Sequence, residues 1–188
     1  MQLTKFLGRK CVYYPEIDST QSEIWRRIEK NTIENGLVVV AGRQTEGKGT
    51  HGRVWHTDEN GNIAFSFYVE TNCNMQALEG LTKEIAEILV AIFWKKYKIQ
   101  LEIKEPNDLM YHGKKLGGIL TESKVQAGII KYLVIGIGIN TNKMHFSQDI
   151  QELATSIQKE FGVVVENDEI LAEFYNQFEK EIRRRIHS

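Results

Sequence analysis

The chain has 188 residues, 41% of them hydrophobic and 26% charged, which is enough for one well-cored domain and ordinary for a globular fold. A formal net charge of −1 excludes a nucleic-acid binder that works through a broad basic field, so no DNA partner is expected. Cys11 and Cys73 stand far apart in no paired motif, nothing approaches a membrane span, and residues 1–8 hold no apolar run long enough for a signal peptide, so a cytoplasmic setting with two free thiols is expected.

In chain order, Val12-Tyr13-Tyr14 predicts a short first strand ended by Pro15. The stretch from Asp18 to Glu23 then opens a helix carrying Ile24, Trp25 and Ile28. Thr20 and Glu23 have capping-box spacing, so the plain explanation of Ser19 and Thr20 is helix initiation. The same geometry aims hydroxyls and N–H groups at an anion near the helix start. Leu37-Val38-Val39-Val40-Ala41 reads as a buried strand feeding a loop from Gly42 to Trp55. Four glycines there, Gly42, Gly47, Gly49 and Gly52, allow close backbone approach and bare N–H groups of the kind that cradle phosphate. Arg43, Lys48 and Arg53 add cations, and Trp55 offers a flat ring face. A turn over residues 56–62 leads to a strand over 63–69.

Residues 75–97 repeat apolar side chains at helical spacing and read as one long core helix, followed by a half-buried strand marked by Ile99, Leu101 and Ile103. Pro106-Asn107-Asp108 is good turn chemistry, His112-Gly113 predicts a hairpin, and 116–122 and 129–139 predict two more strands. The polar run 144–149 reads as a mobile connection. Leu153, Ile157 and Phe161 define a helix ended by Gly162, and Asn167 or Asp168 caps a last helix that finishes in Arg183-Arg184-Arg185, a solvated end. Hairpin-like strands flanked by helices predict an α+β domain with a mixed sheet.

Gly42 to Lys48 satisfies the first part of a Walker A pattern, yet Gly49 replaces the hydroxyl and no helix follows, so a P-loop is rejected. Gly136-x-Gly138 lacks the rest of a dinucleotide fingerprint. The five histidines are scattered and no metal site is predicted. What is left is a cationic glycine loop, a Lys104-x-Pro106-Asn107-Asp108 turn, Lys115 before Gly117-Gly118, and a glycine-rich strand end at Asn140. That set suits activation of a carboxylate by ATP, where two anions must be held together against repulsion.

Five ordered motifs carry a resemblance to biotin protein ligases: Asp18-Ser19-Thr20-Gln21; Gln44-Thr45-x-Gly47-Lys48-Gly49-x-x-Gly52-Arg53-x-Trp55; Lys104-x-Pro106-Asn107-Asp108-Leu109; Lys115-Leu116-x-Gly118-Ile119-Leu120-x-Glu122; and Gly136-x-Gly138-Ile139-Asn140. The resemblance runs from about Val12 to the last helix, and residues 1–188 read as a single catalytic domain. It implies the α+β fold of that family, related to class II aminoacyl-tRNA synthetases. It also implies a two-step reaction in which biotin and MgATP give biotinyl-5′-AMP, and the adenylate then modifies one lysine of a biotin carboxyl carrier domain. Ser19, Thr20, Gln21 and Gln44 would hydrogen-bond the ureido end of biotin, with Gly118 also on the biotin side. Gly47, Lys48, Gly49 and Thr50 would wrap the carboxylate and phosphate. Lys115 would bind both anions in both steps, with Lys48 assisting. Lys48, Arg53, Trp55, Asn107 and Asn140 would serve the nucleotide, and Asp108 the magnesium or the incoming lysine.

Three departures from the family pattern carry expectations. Where the family has Gly-Arg-Gly-Arg-x-Gly-Arg, this chain has Gly47-Lys48-Gly49-Thr50-His51-Gly52-Arg53, and the lost guanidinium forks predict weaker retention of the adenylate. Glu105 stands where tryptophan is usual, which predicts an altered pocket wall. No N-terminal helix-turn-helix pattern and no C-terminal SH3-like segment are read, so a repressor role is not expected and affinity for ATP and carrier is expected to differ. A lipoate ligase of the same fold, a degenerate non-catalytic biotin-binding module and a nucleic-acid binder are the rival readings; a homodimer through the sheet stays open.

Overall fold

The computed structural model describes residues 4–55, 57 and 61–186, so most of the expected 56–62 turn and His187 lie outside the described residues. Seven strands form one mixed sheet: β1 (Cys11–Ile17), β2 (Val38–Gln44), β3 (Asn62–Asn74), β4 (Glu102–Lys104), β5 (Asp108–Tyr111), β6 (Lys114–Gln126) and β7 (Ile129–Asn140), in the spatial order β1-β2-β3-β7-β6-β5-β4. Among the described strands, β1 and β2 pair in parallel and the other neighbours are antiparallel. Four α-helices complete the fold: α1 (Thr20–Glu29), α2 (Leu81–Tyr97), α3 (Ile157–Phe161) and α4 (Asn167–Ile186). None of the described helices is long and apolar enough to cross a membrane, and both cysteines are free thiols.

The period-two alternation of strand side chains divides the sheet into two unlike faces. Ile63, Phe65, Phe67 and Val69 of β3 and Ile135, Ile137 and Ile139 of β7 point to one side, where α2 and α4 cover them and an aromatic cluster of Phe65, Phe67, Phe174 and Phe178 packs at centroid distances of 5.1–5.9 Å. The opposite face carries Ala64, Ser66 and Tyr68 of β3 against Gly138, Gly136 and Val134 of β7. It is covered by α1 and by the segment after β2. Small residues in register therefore leave a hollow where the second face would otherwise fill.

Several elements differ from the sequence expectation for identifiable reasons. Pro15 does not end β1 but sits within it, because β1 is an edge strand and its missing N–H faces no neighbour. The predicted helix over 75–97 is a short 3-10 turn (Met75–Leu78) and then α2, separated where Gly80 takes φ 74°. Ser19, rather than Thr20, caps α1: its hydroxyl accepts from Ser22 N at 3.3 Å. Leu153 is 67% exposed and lies before α3, which is only five residues long and is ended by Gly162 as expected. Asn167 is the first residue of α4 instead of its cap.

At the chain's two ends, the buried Glu179 carboxylate of α4 accepts from the backbone N–H groups of Lys5, Phe6 and Leu7 at 2.6, 3.0 and 2.8 Å.

Candidate active site

Three cross-strand rows build the hollow. Opposed residues of neighbouring strands share a face, so Ala64, Gly138, Gly118 and Asp108 align, then Ser66, Gly136 and Leu120, then Tyr68, Val134 and Glu122. Over them α1 presents the side chains of its first turn. Thr20 Oγ1 lies 2.8 Å from Ser66 Oγ and donates to Gln44 Oε1 at 3.0 Å, while Thr20 N donates to the same oxygen at 2.8 Å. Gln44 Nε2 in turn donates to Thr57 Oγ1 at 3.2 Å. Gln21 Nε2 donates to Glu122 Oε2 at 2.8 Å and to Val134 O at 3.2 Å. The result is a polar, closely braced slot in an otherwise apolar wall.

Two glycines are required there. A Cβ on Gly136 would sit 2.7 Å from Gln21 Oε1, and one on Gly138 would sit 2.3 Å from the Trp55 indole, which lies flat against that strand. With Trp55 in this position the slot has about 40 Å³ of free space, room for only a few waters. Trp55 Nε1 is buried and has no hydrogen-bond partner.

The loop expected to offer bare N–H groups folds back on itself. Gly49 N donates to Arg53 O and Trp55 N to Gly47 O, both at 2.8 Å, with a bridge between Lys48 and Val54. Those two amides are therefore spent within the loop, whose tip (Thr50–Gly52) is a single 3-10 turn. Arg43 is no site cation: it pairs with Glu16 at 2.5 Å on the outer strands, with both side chains about half exposed.

Lys115 reaches the site through a β-bulge. Between the pairs Leu109–Gly117 and Met110–Lys115, Leu116 is the extra residue. Strict alternation from Gly118 would put Leu116 in the hollow and Lys115 in the core; the bulge reverses this. Leu116 is fully buried in the core, and Lys115 lies across Gly118, where a Cβ would meet its Nζ at 3.2 Å. Lys115 pairs with Asp108 at 2.7 Å and its Nζ is 5.9 Å from the Trp55 ring centroid. Its backbone is gripped by the segment before α3: Lys115 N donates to Leu153 O and Thr155 N to Lys115 O.

A second cavity of about 390 Å³ opens beside the slot. Gly49, Thr50, Trp55 and Lys115 line both, so the two spaces meet at the lysine. Arg53, Lys104 and Lys143 also line the larger cavity, with Asn140, Asp108 and the apolar Phe146, Ile150 and Leu153. Lys143 Nζ lies 5.0 Å from the Phe146 ring.

Of the residues singled out in the sequence, Ser19, Thr20, Gln21, Gln44, Lys48, Gly49, Thr50, Trp55, Asn107, Lys115 and Gly118 line the slot, and Arg53, Asp108 and Asn140 line the larger cavity with Trp55 and Lys115. Lys48 and Asn107 line the slot and not the larger cavity. The Asn107 amide donates to Ile119 O at 3.1 Å and braces the turn. Gly47 lines neither space; it is tucked beneath Trp55, where a Cβ would meet the Trp55 carbonyl at 2.2 Å. Glu105 is in neither wall and pairs with Lys83 at 2.5 Å on the surface. Ser66 and Lys143 went unread. A polar residue between Phe65 and Phe67 in a buried strand was a usable signal for the first; nothing local marks the second.

Beneath the slot, Arg26 donates to both Asp18 oxygens at 2.7 and 2.8 Å, and these bonds hold the Asp18 carboxyl down to about 2. Among the described residues no cluster of three His, Cys, Asp or Glu could hold a metal ion.

A family model described as the biotin/lipoate A/B protein ligase family matches residues 13–140. The bifunctional ligase/repressor BirA of Bacillus subtilis is 31% identical over 182 residues, covering 96% of this chain and 56% of that protein. The biotin–protein ligase of Homo sapiens is 29% identical over 164 residues, 84% of this chain and 22% of that one. Among solved structures, the biotin protein ligase from Aquifex aeolicus in complex with biotin and ATP superposes with a TM-score of 0.78 at 26% identity, covering 96% of this chain and 73% of that one. The chain spans just over half the length of the Bacillus BirA proteins that it matches. With the family model covering most of its sheet and every strand that builds the slot, the chain belongs to the biotin/lipoate A/B protein ligase family.

Proposed function

We propose that the chain activates biotin with ATP and passes the biotinyl group to a lysine of a carrier domain. The observation that carries this reading is the junction at Lys115, where a braced donor–acceptor slot meets a cation-lined cavity. The slot suits a neutral, hydrogen-bonding head group whose acidic tail ends at the lysine. The cavity suits a triphosphate, with Arg53, Lys104 and Lys143 around it.

In the first step a biotin carboxylate oxygen attacks the α-phosphorus and the bond to the bridging oxygen of pyrophosphate breaks. Lys115 lowers the repulsion between the two anions and meets charge on the phosphoryl oxygens as it develops. In the second step a carrier lysine amine attacks the acyl carbonyl, the amine gives up a proton, and AMP leaves. Magnesium would enter with the triphosphate, shielding its charge; Asp108 is the one carboxylate lining the cavity among the described residues, and it suits either that ion or the incoming amine.

Biotin-dependent exchange of pyrophosphate into ATP tests the reading, with lipoate as control. Exchange with biotin alone is expected. Exchange with lipoate alone would move the assignment to the other branch of the family, and exchange with neither would overturn it.

A further inference from the structure

Glu122 belongs to the Lys115–Glu122 strand motif, yet no step above uses it. It stands on β6 in the row of Tyr68 and Val134, one row beyond Ser66, Gly136 and Leu120, half-buried and facing a separate open space beside the 45–54 loop. Its Oε2 accepts from two side chains one turn apart on α1: Gln21 Nε2 at 2.8 Å and Trp25 Nε1 at 2.7 Å. A carboxylate oxygen offers no hydrogen, so only the NH₂ end of the Gln21 amide can face it. Val134 O accepts from the same nitrogen, a second vote for that orientation. The amide oxygen is thereby turned toward Gly136 and the slot, where it is buried with no hydrogen-bond partner.

A buried acceptor left in this way favours any ligand that brings an N–H and disfavours one that brings a lone pair. We propose that Glu122 is a positioning residue that locks the Gln21 amide with its oxygen toward the ligand and so makes the slot selective for an N–H donor, the ureido edge of biotin on the reading above, on which this inference rests. Trp25 anchors the same carboxylate oxygen, so α1 and β6 hold the Glu122 side chain between them.

The test is calorimetric titration of biotin and, separately, of ATP into the wild-type chain and into Glu122→Gln, Gln21→Ala and the double variant. A glutamine at 122 is neutral and can donate as well as accept, which loosens the hold on the Gln21 amide that the charged acceptor provides. Biotin affinity should fall roughly tenfold to hundredfold, the size expected for a mispaired buried group, with ATP affinity and thermal midpoint held. Because Glu122 acts through Gln21, the double variant should bind biotin no more weakly than Gln21→Ala alone. Additive losses, a parallel loss of ATP affinity, or unchanged biotin affinity in Glu122→Gln would overturn the proposal while leaving the biotin reading intact. A wild-type chain that binds no biotin would overturn that reading, and the proposal with it.

Discussion

The slot and the cavity beside it are built in opposite ways. The slot is floored by three adjacent strands and one helix turn, every row fixed by register, with Thr20, Gln44, Ser66 and the Gln21 amide nitrogen held by hydrogen bonds. The cavity is walled largely by chain that runs between elements, the 49–55 loop and the 143–154 segment, which carry Arg53 and Lys143, the latter buried against Phe146. A wall set by strand register recognises shape and hydrogen-bond polarity at small entropic cost, whereas a wall of cations chiefly delivers charge. Substitutions should therefore separate the two, acting on one ligand and sparing the other.

The residues at the junction are exceptions, and Lys115, which lines both spaces with its charge, is the largest of them. Lys115→Ala should lower biotin-dependent pyrophosphate exchange by about 10³-fold or more, with binding of biotin and ATP each weakened; single-turnover formation of biotinyl-AMP checks it. Gly136→Ala pushes a methyl group onto Gln21 Oε1 and should cost about 10²-fold in biotin KM while leaving ATP KM within a few-fold, as steady-state exchange would measure. Thr50→Arg is the converse, adding a fork at a position shared by both walls. Release of preformed biotinyl-AMP should slow by roughly fivefold, the scale of one charge-assisted hydrogen bond at a partly open site; equal off-rates by rapid filtration would count against it.

The smallest effect concerns the base of the slot. Asp18 is held down to about 2, first of all by its hydrogen bonds from Arg26, so the stabilisation is present above the usual carboxylate range near 4 and is lost as pH falls through about 2. Both side chains are more than a third exposed, which makes the gain small. Asp18→Asn should lower the thermal midpoint slightly at pH 7 and flatten its decline between pH of about 4 and 2.

Much of the slot could be read in the sequence because its parts are local: a helix start, alternating strands, glycines where a side chain would collide. The β7 strand and its glycines appeared almost in full. The cavity could not be read as well. Which face Lys115 takes depends on a one-residue bulge that alternation alone does not reveal. The grip of Leu153 and Thr155 on the Lys115 backbone joins residues about forty apart, and the sequence assigns Leu153 to a helix with Ile157 and Phe161 because its spacing matches theirs, whereas the chain there lies ahead of α3 and is bonded to Lys115. The loop glycines were legible as close approach, but what they approach is Trp55 and the loop itself as much as any ligand.

The position of Trp55 gives the protein an optical property. The other two tryptophans have settled surroundings: Trp25 donates to Glu122, and Trp94 is 52% exposed on α2. Trp55 alone lies across the slot, its indole nitrogen buried without an acceptor and its ring facing a lysine. With about 40 Å³ free beside that ring, filling the slot with a bicyclic guest is expected to displace the indole and change its emission. The association kinetics should then carry a concentration-independent phase set by how fast the ring swings aside, visible in stopped-flow fluorescence and silent in Trp55→Phe.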